Sequence, residues 1–180
     1  LKSDNTNLHQ LSGKDLSYNN YNDIFAGLEL LFSNLKNPTT VIIKHANPCG
    51  VSSNKSAFQS FLNAQASDPV SAFGGIVACS FKINNKIAQE INKTFFEVIL
   101  AKGFDKKALR VLKKKKNMRV IDISKFNYES ATTGKFFDSS FLLQEKDNLV
   151  FDKKKLKCVT KNKPSGKEFK DIEFAFGVCK

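Results

Sequence analysis

The chain of 180 residues is long enough for one sizeable core, and its 41% hydrophobic content is typical of a globular domain. Its formal net charge of +12 favours anionic partners, but arginine occurs only at Arg110 and Arg119, so bidentate readout of nucleic-acid bases is poorly supplied. The four cysteines are scattered and form no C-x-x-C pair, which argues against a zinc ribbon or a disulfide framework. No apolar run is long enough for a membrane span. Together these features predict a cytoplasmic protein.

The N-terminal part of the chain leads towards a first buried strand. Residues 1–17 are polar and irregular, which predicts an arm or linker. Asp23 is a plausible N-cap for a helix that continues at apolar spacing and stops before Pro38. We expect this helix to deliver the chain to the strand at residues 41–43.

The stretch V-I-I-K-H-A-N-P-C-G, residues 41–50, places ionisable side chains where this strand ends. Lys44 and His45 follow three apolar residues, and the N-P-C-G sequence behind them predicts an immediate break. Ligands of open α/β sheets bind beyond the carboxyl ends of the strands. We therefore expect a site here, with Lys44 and His45 turned into one crevice by the break.

Helices and strands alternate over the next eighty residues. Apolar runs predict strands at residues 76–79, 97–101 and 119–123, and helical spacing predicts helices at residues 56–66, 86–93 and 105–115. This alternation is typical of a three-layer α/β/α fold with a mostly parallel sheet. Behind it we expect short antiparallel or edge strands at residues 135–144 and 157–161, and an amphipathic helix at residues 165–180.

Histidine transfers protons near neutral pH, and a neighbouring lysine can stabilise a developing negative charge. The pattern equally fits a structural histidine beside a surface lysine, and spacing leaves both readings open. The sequence S-A-F-G-G at residues 71–75 permits a close backbone approach to a ligand. The four lysines at residues 113–116 fit either a solvated helix end or a nucleic-acid contact.

One metal-dependent alternative can be tested on the letters. Zinc nucleobase deaminases need H-x-E and a later P-C-x-x-C. Here His45 is followed by Ala46 and Asn47, and Pro48-Cys49 has no second thiol after it. We therefore expect no catalytic metal at His45.

Four blocks of sequence together resemble one enzyme family. They are G-K-D-L-S-Y-N-N (residues 13–20), K-H-A-N-P-C-G (44–50), S-D-P-V-S-A-F-G-G (67–75) and V-T-K-N-K-P-S (159–165). Their order and spacing resemble the formyltransferase part of bifunctional purine biosynthesis enzymes, which join AICAR transformylase to IMP cyclohydrolase. The resemblance runs from about residue 5 to residue 180.

The resemblance implies a cytidine deaminase-like fold and formyl transfer from 10-formyltetrahydrofolate, the co-substrate, to the 5-amino group of AICAR. It implies that His45 is the base, and that Lys44 either stabilises the developing negative charge or assists departure of the folate nitrogen. Asn20, Gly74 and Glu97 match AICAR-binding positions, although glutamate is longer than the aspartate found in some members. It also implies a homodimer with active sites between protomers, which equilibrium sedimentation would test.

The resemblance covers only part of the family's length. Residues 18–180 match the first deaminase-like subdomain, while the cyclohydrolase domain and the second subdomain are absent, so we expect a fragment that folds but is inactive alone. The alternative is a lysine-rich α/β module that binds RNA through residues 113–116. That alternative predicts salt-sensitive RNA binding that survives the loss of Lys44 and His45.

Overall fold

The computed structural model describes residues 8–33, 35, 37–128, 131–147 and 151–179. The chain divides into two compact units, one ending at Phe126 and the other beginning at Asn127. The first unit contains the main sheet. The assignment of residues 18–180 to a single deaminase-like subdomain stays a prediction.

The first unit is built on a six-stranded sheet with the order β1-β6-β5-β4-β2-β3. Strands β4, β5 and β6 run parallel, whereas β1 is antiparallel to β6, β2 to β4 and β3 to β2. The strands are β1 (His9–Ser12), β2 (Thr39–Lys44), β3 (Asn47–Ser53), β4 (Ile76–Cys79), β5 (Val98–Ala101) and β6 (Arg119–Asp122). The expected parallel sheet is therefore confirmed at its centre, but β2 joins it antiparallel.

Helices cover both faces of this sheet, which confirms the three-layer arrangement. They are α1 (Tyr18–Leu31), α2 (Ala57–Ser67), α3 (Pro69–Ala72), α4 (Asn85–Ile91) and α5 (Lys106–Leu112). On one face α1 packs so closely that a Cβ on Gly27 would contact Ile43 and Ala78. The alternate residues of the strands, such as Ile42 and Val77, pack with α2, α4 and α5 on the other face. Strands buried on both faces explain the continuous apolar runs in the sequence.

The expectation of an N-terminal arm is wrong for His9–Ser12, which pair with β6 as strand β1. Residues 1–7 of that expected arm lie outside the described residues. Helix α1 also begins earlier than predicted, because Ser17 rather than Asp23 is its N-cap. The Ser17 hydroxyl accepts the Asn20 backbone N–H, and the Asn20 side chain accepts the Ser17 N–H. This reciprocal capping box fixes the start of the helix.

The second unit contains a hairpin and a helix. The stretch predicted as strand at residues 135–144 is extended, but as a hairpin of two antiparallel strands, β7 (Thr132–Phe137) and β8 (Ser140–Glu145). Helix α6 (Gly166–Cys179) confirms the terminal helix. The strand expected at residues 157–161 is wrong, since this stretch has no regular structure. No side chain described in this unit is buried. None of the helices described in the chain is long and apolar enough to cross a membrane.

Candidate active site

The N-P-C-G sequence does not break the chain as expected but continues as strand β3. β2 and β3 form a hairpin whose two turn residues, His45 and Ala46, have φ of 54° and 60°. Positive φ at both positions is typical of the two-residue turns that match strand twist. Pro48 is tolerated because β3 is an edge strand with an irregular register beside it. Gly50 allows α2 to pack closely on β3, since an added Cβ there would lie 2.0 Å from the Ala64 carbonyl oxygen.

Helix α1 holds the turn in this conformation. The Ala46 backbone N–H donates to the Asp23 carboxylate at 2.7 Å. Residues other than glycine adopt positive φ at a cost of about 1 kcal/mol or more each, so the turn needs such support. Asp23 thus acts as a brace for the hairpin tip, by which we mean residues 44–47.

The two ionisable side chains of the hairpin tip differ in their surroundings. The ammonium of the half-buried Lys44 donates a hydrogen bond of 2.7 Å to the Phe73 carbonyl. His45 is exposed, and its imidazole makes no hydrogen bond to any residue that the structure describes. The imidazole is therefore available for proton transfer, and the ammonium of the preceding residue is held in place by its hydrogen bond to Phe73.

Strand register places the hairpin tip at one edge of the sheet together with the starts of β4, β5 and β6. Ile43 pairs with Ile76, Ile76 with Val98, and Val98 with Arg119. Because β2 is antiparallel, its carboxyl end lies at the amino ends of the parallel strands. The expected position at a strand's carboxyl end thus holds for β2 alone.

The S-D-P-V-S-A-F-G-G loop delivers the carbonyl that Lys44 binds. The Asp68 carboxylate caps the short helix α3, accepting the Ser71 backbone N–H at 2.9 Å and its hydroxyl at 2.5 Å. These hydrogen bonds lower the pKa of Asp68. Gly75 is required by packing, since a Cβ there would lie 2.9 Å from the Ile43 carbonyl oxygen, and Gly74 has φ of +75°. Gly75 therefore allows strand β2 to pack closely against the loop, and Gly74 remains the candidate for ligand contact.

Asn20, Gly74 and Glu97, predicted to bind one substrate, lie along one chain of hydrogen bonds. The Gly74 N–H donates to the Phe95 carbonyl at 2.8 Å, and the Glu97 N–H donates to the Gly75 carbonyl at 3.0 Å. The Asn20 side-chain amide donates to the Glu97 carboxylate at 3.0 Å. Asn20 is only 5% exposed, so its side chain is largely committed to Glu97 and to the capping box. The same edge thus holds all five predicted residues, with Lys44 and His45 at one end.

Sequence reasoning missed two residues of this edge. It read Asp23 as a helix cap, although Asn20 and Asp23 are three residues apart on one helix face, a spacing that could have indicated a shared role. It gave no role to Arg119, whose guanidinium lies 3.8 Å from the Glu97 carboxylate. The rarity of arginine in this chain was the available signal.

Other features of the structure do not include the five predicted residues. Two surface concavities of about 530 and 440 Å³ include none of its predicted residues. Lys115 donates its ammonium to the Thr94 carbonyl at 2.8 Å, and burial lowers its pKa. At least one lysine of residues 113–116 therefore has a structural contact. Within the described ranges, no three His, Cys, Asp or Glu side chains are grouped as metal ligands would be.

A family model described as the AICARFT/IMPCHase bienzyme matches residues 2–180. The chain belongs to this bienzyme family. A bifunctional purine biosynthesis protein PurH from Thermoanaerobacter sp. is 44% identical over 95% of the chain, and one from Aquifex aeolicus is 41% identical over 97%. The chain spans about a third of the length of these relatives. The RNA-binding alternative finds no support among the members of the family.

Solved structures give weaker likenesses. Acinetobacter baumannii RibD matches 58% of this chain and 36% of its own, at 15% identity and a TM-score of 0.43. The dCMP deaminase from cyanophage S-TIM5 matches 56% of this chain and 93% of its own, at 16% identity and a TM-score of 0.39. Scores of this size do not establish a shared fold, so the deaminase-like assignment stays a prediction.

Proposed function

We propose that this chain is part of the AICAR transformylase of a bifunctional purine biosynthesis protein, whose other activity is IMP cyclohydrolase. The observation that carries the proposal is the hairpin tip, where the exposed His45 imidazole makes no hydrogen bond to the described residues and directly follows Lys44, whose ammonium is anchored on the Phe73 carbonyl. Membership of the bienzyme family supports it. The four sequence blocks that resemble the transformylase favour this activity over the cyclohydrolase.

The reaction is formyl transfer from 10-formyltetrahydrofolate to the 5-amino group of AICAR. The amine nitrogen attacks the formyl carbon, a new carbon–nitrogen bond forms, and the bond to folate N10 breaks as that nitrogen takes up a proton. His45 accepts the proton that the amine loses, because an aromatic amine is a weak nucleophile until it is deprotonated. Lys44 stabilises the negative charge that develops on the formyl oxygen.

Asn20, Gly74 and Glu97 bind AICAR in this proposal. Their hydrogen-bonded arrangement supports this assignment. Glu97 is 43% exposed and can accept a hydrogen bond from the substrate, while the Asn20 amide donates to the same carboxylate and fixes its position. The folate is a co-substrate, and no metal takes part in the chemistry. In this proposal the site is completed by further residues of the full-length polypeptide or by the second protomer of a homodimer.

The test is formyl transfer by the full-length polypeptide that contains this chain. With AICAR and 10-formyltetrahydrofolate as substrates, we expect His45→Ala to lower kcat by roughly 10²- to 10⁴-fold, the usual contribution of a general base. The matched control is His9→Ala, which alters the other histidine of the chain, an exposed residue of β1. Turnover by His45→Ala at the rate of the His9→Ala control would contradict the proposed role.

A further inference from the structure

Arg119, the first residue of β6, joins two parts of the candidate site. Its side chain is only 15% exposed, although the residue lies at the very start of its strand. We propose that Arg119 is a positioning residue that fixes the Glu97 carboxylate for substrate binding. The inference rests on the proposed function, and it adds a role that the sequence blocks do not include.

The segment between β1 and α1 lies directly against the backbone of Arg119. Gly13 has φ of +99°, and a Cβ on it would lie 2.4 Å from the Met118 carbonyl oxygen and 2.6 Å from the Arg119 Cα. Only glycine fits such an approach. The Gln10 side-chain amide donates to the Lys14 carbonyl at 2.7 Å and holds the same segment from within. Gly13, the first residue of the G-K-D-L-S-Y-N-N block, is therefore required by this close backbone packing.

The Arg119 guanidinium then fixes the rest of that segment. Its Nε and Nη2 both donate to the Asp15 carbonyl, at 3.3 and 3.2 Å. Asp15 lies two residues before Ser17, the N-cap of α1, whose partner in the capping box is Asn20. Two donors on one planar group define the position of an acceptor better than a single ammonium can. Arg119 therefore anchors the segment that leads into Ser17 and Asn20 at the start of α1.

The third nitrogen of the guanidinium faces the carboxylate. Nη1 of Arg119 lies 3.8 Å from Oε2 of Glu97, and the Asn20 amide donates to that same oxygen. Oε1 makes no hydrogen bond to any described residue, and the carboxylate is half-exposed. Two groups thus hold one oxygen while the other stays available for a hydroxyl or amine donor of the substrate. We refer to Asn20, Glu97 and Arg119 as the Glu97 cluster.

Two substitutions in the full-length polypeptide test this role. Arg119→Met removes both the two hydrogen bonds to the Asp15 carbonyl and the positive charge near Glu97. We expect KM for AICAR to rise about tenfold with kcat little changed. KM for 10-formyltetrahydrofolate should stay the same. Arg119→Lys keeps a positive charge and should restore part of the affinity. The matched control is Arg110→Met, which removes the other arginine, an exposed residue of α5.

A double-mutant comparison separates positioning from general stability. In a Glu97→Gln background, Arg119→Met should raise KM for AICAR by less than twofold, because the group through which it acts is already altered. A full tenfold rise in that background would overturn the inference, since Arg119 would then act independently of Glu97. Thermal unfolding of each variant shows which part of the change is loss of fold.

Failure of this inference can be told from failure of the proposed function. A wild-type protein that neither binds nor formylates AICAR contradicts the proposed function. An active wild type, with Arg119→Met and Arg110→Met giving equal KM values, contradicts the inference alone. Crystal structures of the Arg119 variants provide a readout besides activity. In Arg119→Met we expect the hydrogen bond between the Asn20 amide and the Glu97 carboxylate to be lost. A Glu97 side chain still bonded to Asn20 in that structure would overturn the inference as well.

Discussion

The hairpin tip and the Glu97 cluster lie at the same edge of the sheet but are built in opposite ways. The tip is exposed, has two residues at positive φ and carries an imidazole without a hydrogen bond to the described residues. In the cluster, Asn20 is buried and Arg119 nearly so, and both bind neighbouring backbone or carboxylate groups. Proton transfer needs a side chain free to exchange partners, whereas a binding group gains from being fixed before the substrate arrives. We therefore expect the tip to act in turnover and the cluster in substrate affinity.

The largest effect that separates the two regions is expected from Lys44→Met at the hairpin tip. Loss of the ammonium should lower kcat by roughly 10²- to 10³-fold, the effect of removing one group that stabilises transition-state charge. Stability should change by less than about 1 kcal/mol, because the lost bond to the Phe73 carbonyl is partly exposed. The measurements are steady-state kinetics and urea unfolding of the full-length polypeptide.

Lys55→Met is the matched control for this variant, since Lys55 is an exposed lysine just before α2. It should leave kcat unchanged. A Lys44→Met protein with normal kcat and a raised KM would place Lys44 with the binding groups, and the contrast between tip and cluster would then be lost.

An intermediate effect is expected from Asn20→Ala in the Glu97 cluster. This change removes the side-chain half of the capping box, the acceptor of the Ser17 N–H, and leaves the Glu97 carboxylate without its closest described donor. The free energy of unfolding should fall by about 2 kcal/mol, which combines the lost hydrogen bond to Ser17 with a lost charge-assisted hydrogen bond. Urea unfolding measures the loss. The matched control is Asn19→Ala, an exposed neighbour in the same first turn, which should cost less than about 0.5 kcal/mol.

In the same variant KM for AICAR should rise while kcat changes little. Equal losses of stability in Asn20→Ala and Asn19→Ala would contradict the capping network. A fall in kcat as large as that of Lys44→Met would instead show that the cluster takes part in turnover.

The centre of the sheet and the ends of several helices could be predicted because local signals there agree with the fold. Strands β4 and β5 are continuous apolar runs buried on both faces, and Ser56 caps α2 with its side chain. Lys44 and His45 could be predicted as site residues because these ionisable residues directly follow such a run. In these places the side-chain pattern and the burial have the same cause.

The rest depended on contacts that no local pattern encodes. Pro48 and Gly50 normally disfavour a strand, so the local sequence predicts a break at this point. They are tolerated here because β3 is an edge strand whose pairing with β2 has an irregular register. Strand β1 is short and polar, and only its pairing with β6 makes it a strand. The bond from Arg119 to Asp15 joins residues 104 positions apart, which explains why Arg119 was missed.

The smallest effect, and the finest test of the comparison, comes from the brace beneath the hairpin tip. Asp23→Ala removes the acceptor of the Ala46 N–H and should lower the free energy of unfolding by about 1 kcal/mol. Ala46→Gly should restore a similar amount in the double variant, because glycine adopts positive φ without strain. Urea unfolding of the two single variants and the double variant measures both terms. If Ala46→Gly is as destabilising in the Asp23→Ala background as a glycine in a regular strand, the turn is unstrained and Asp23 is no brace. Recovery of stability without recovery of kcat would show that Asp23 also orients the tip for turnover, a function that relief of backbone strain alone cannot replace.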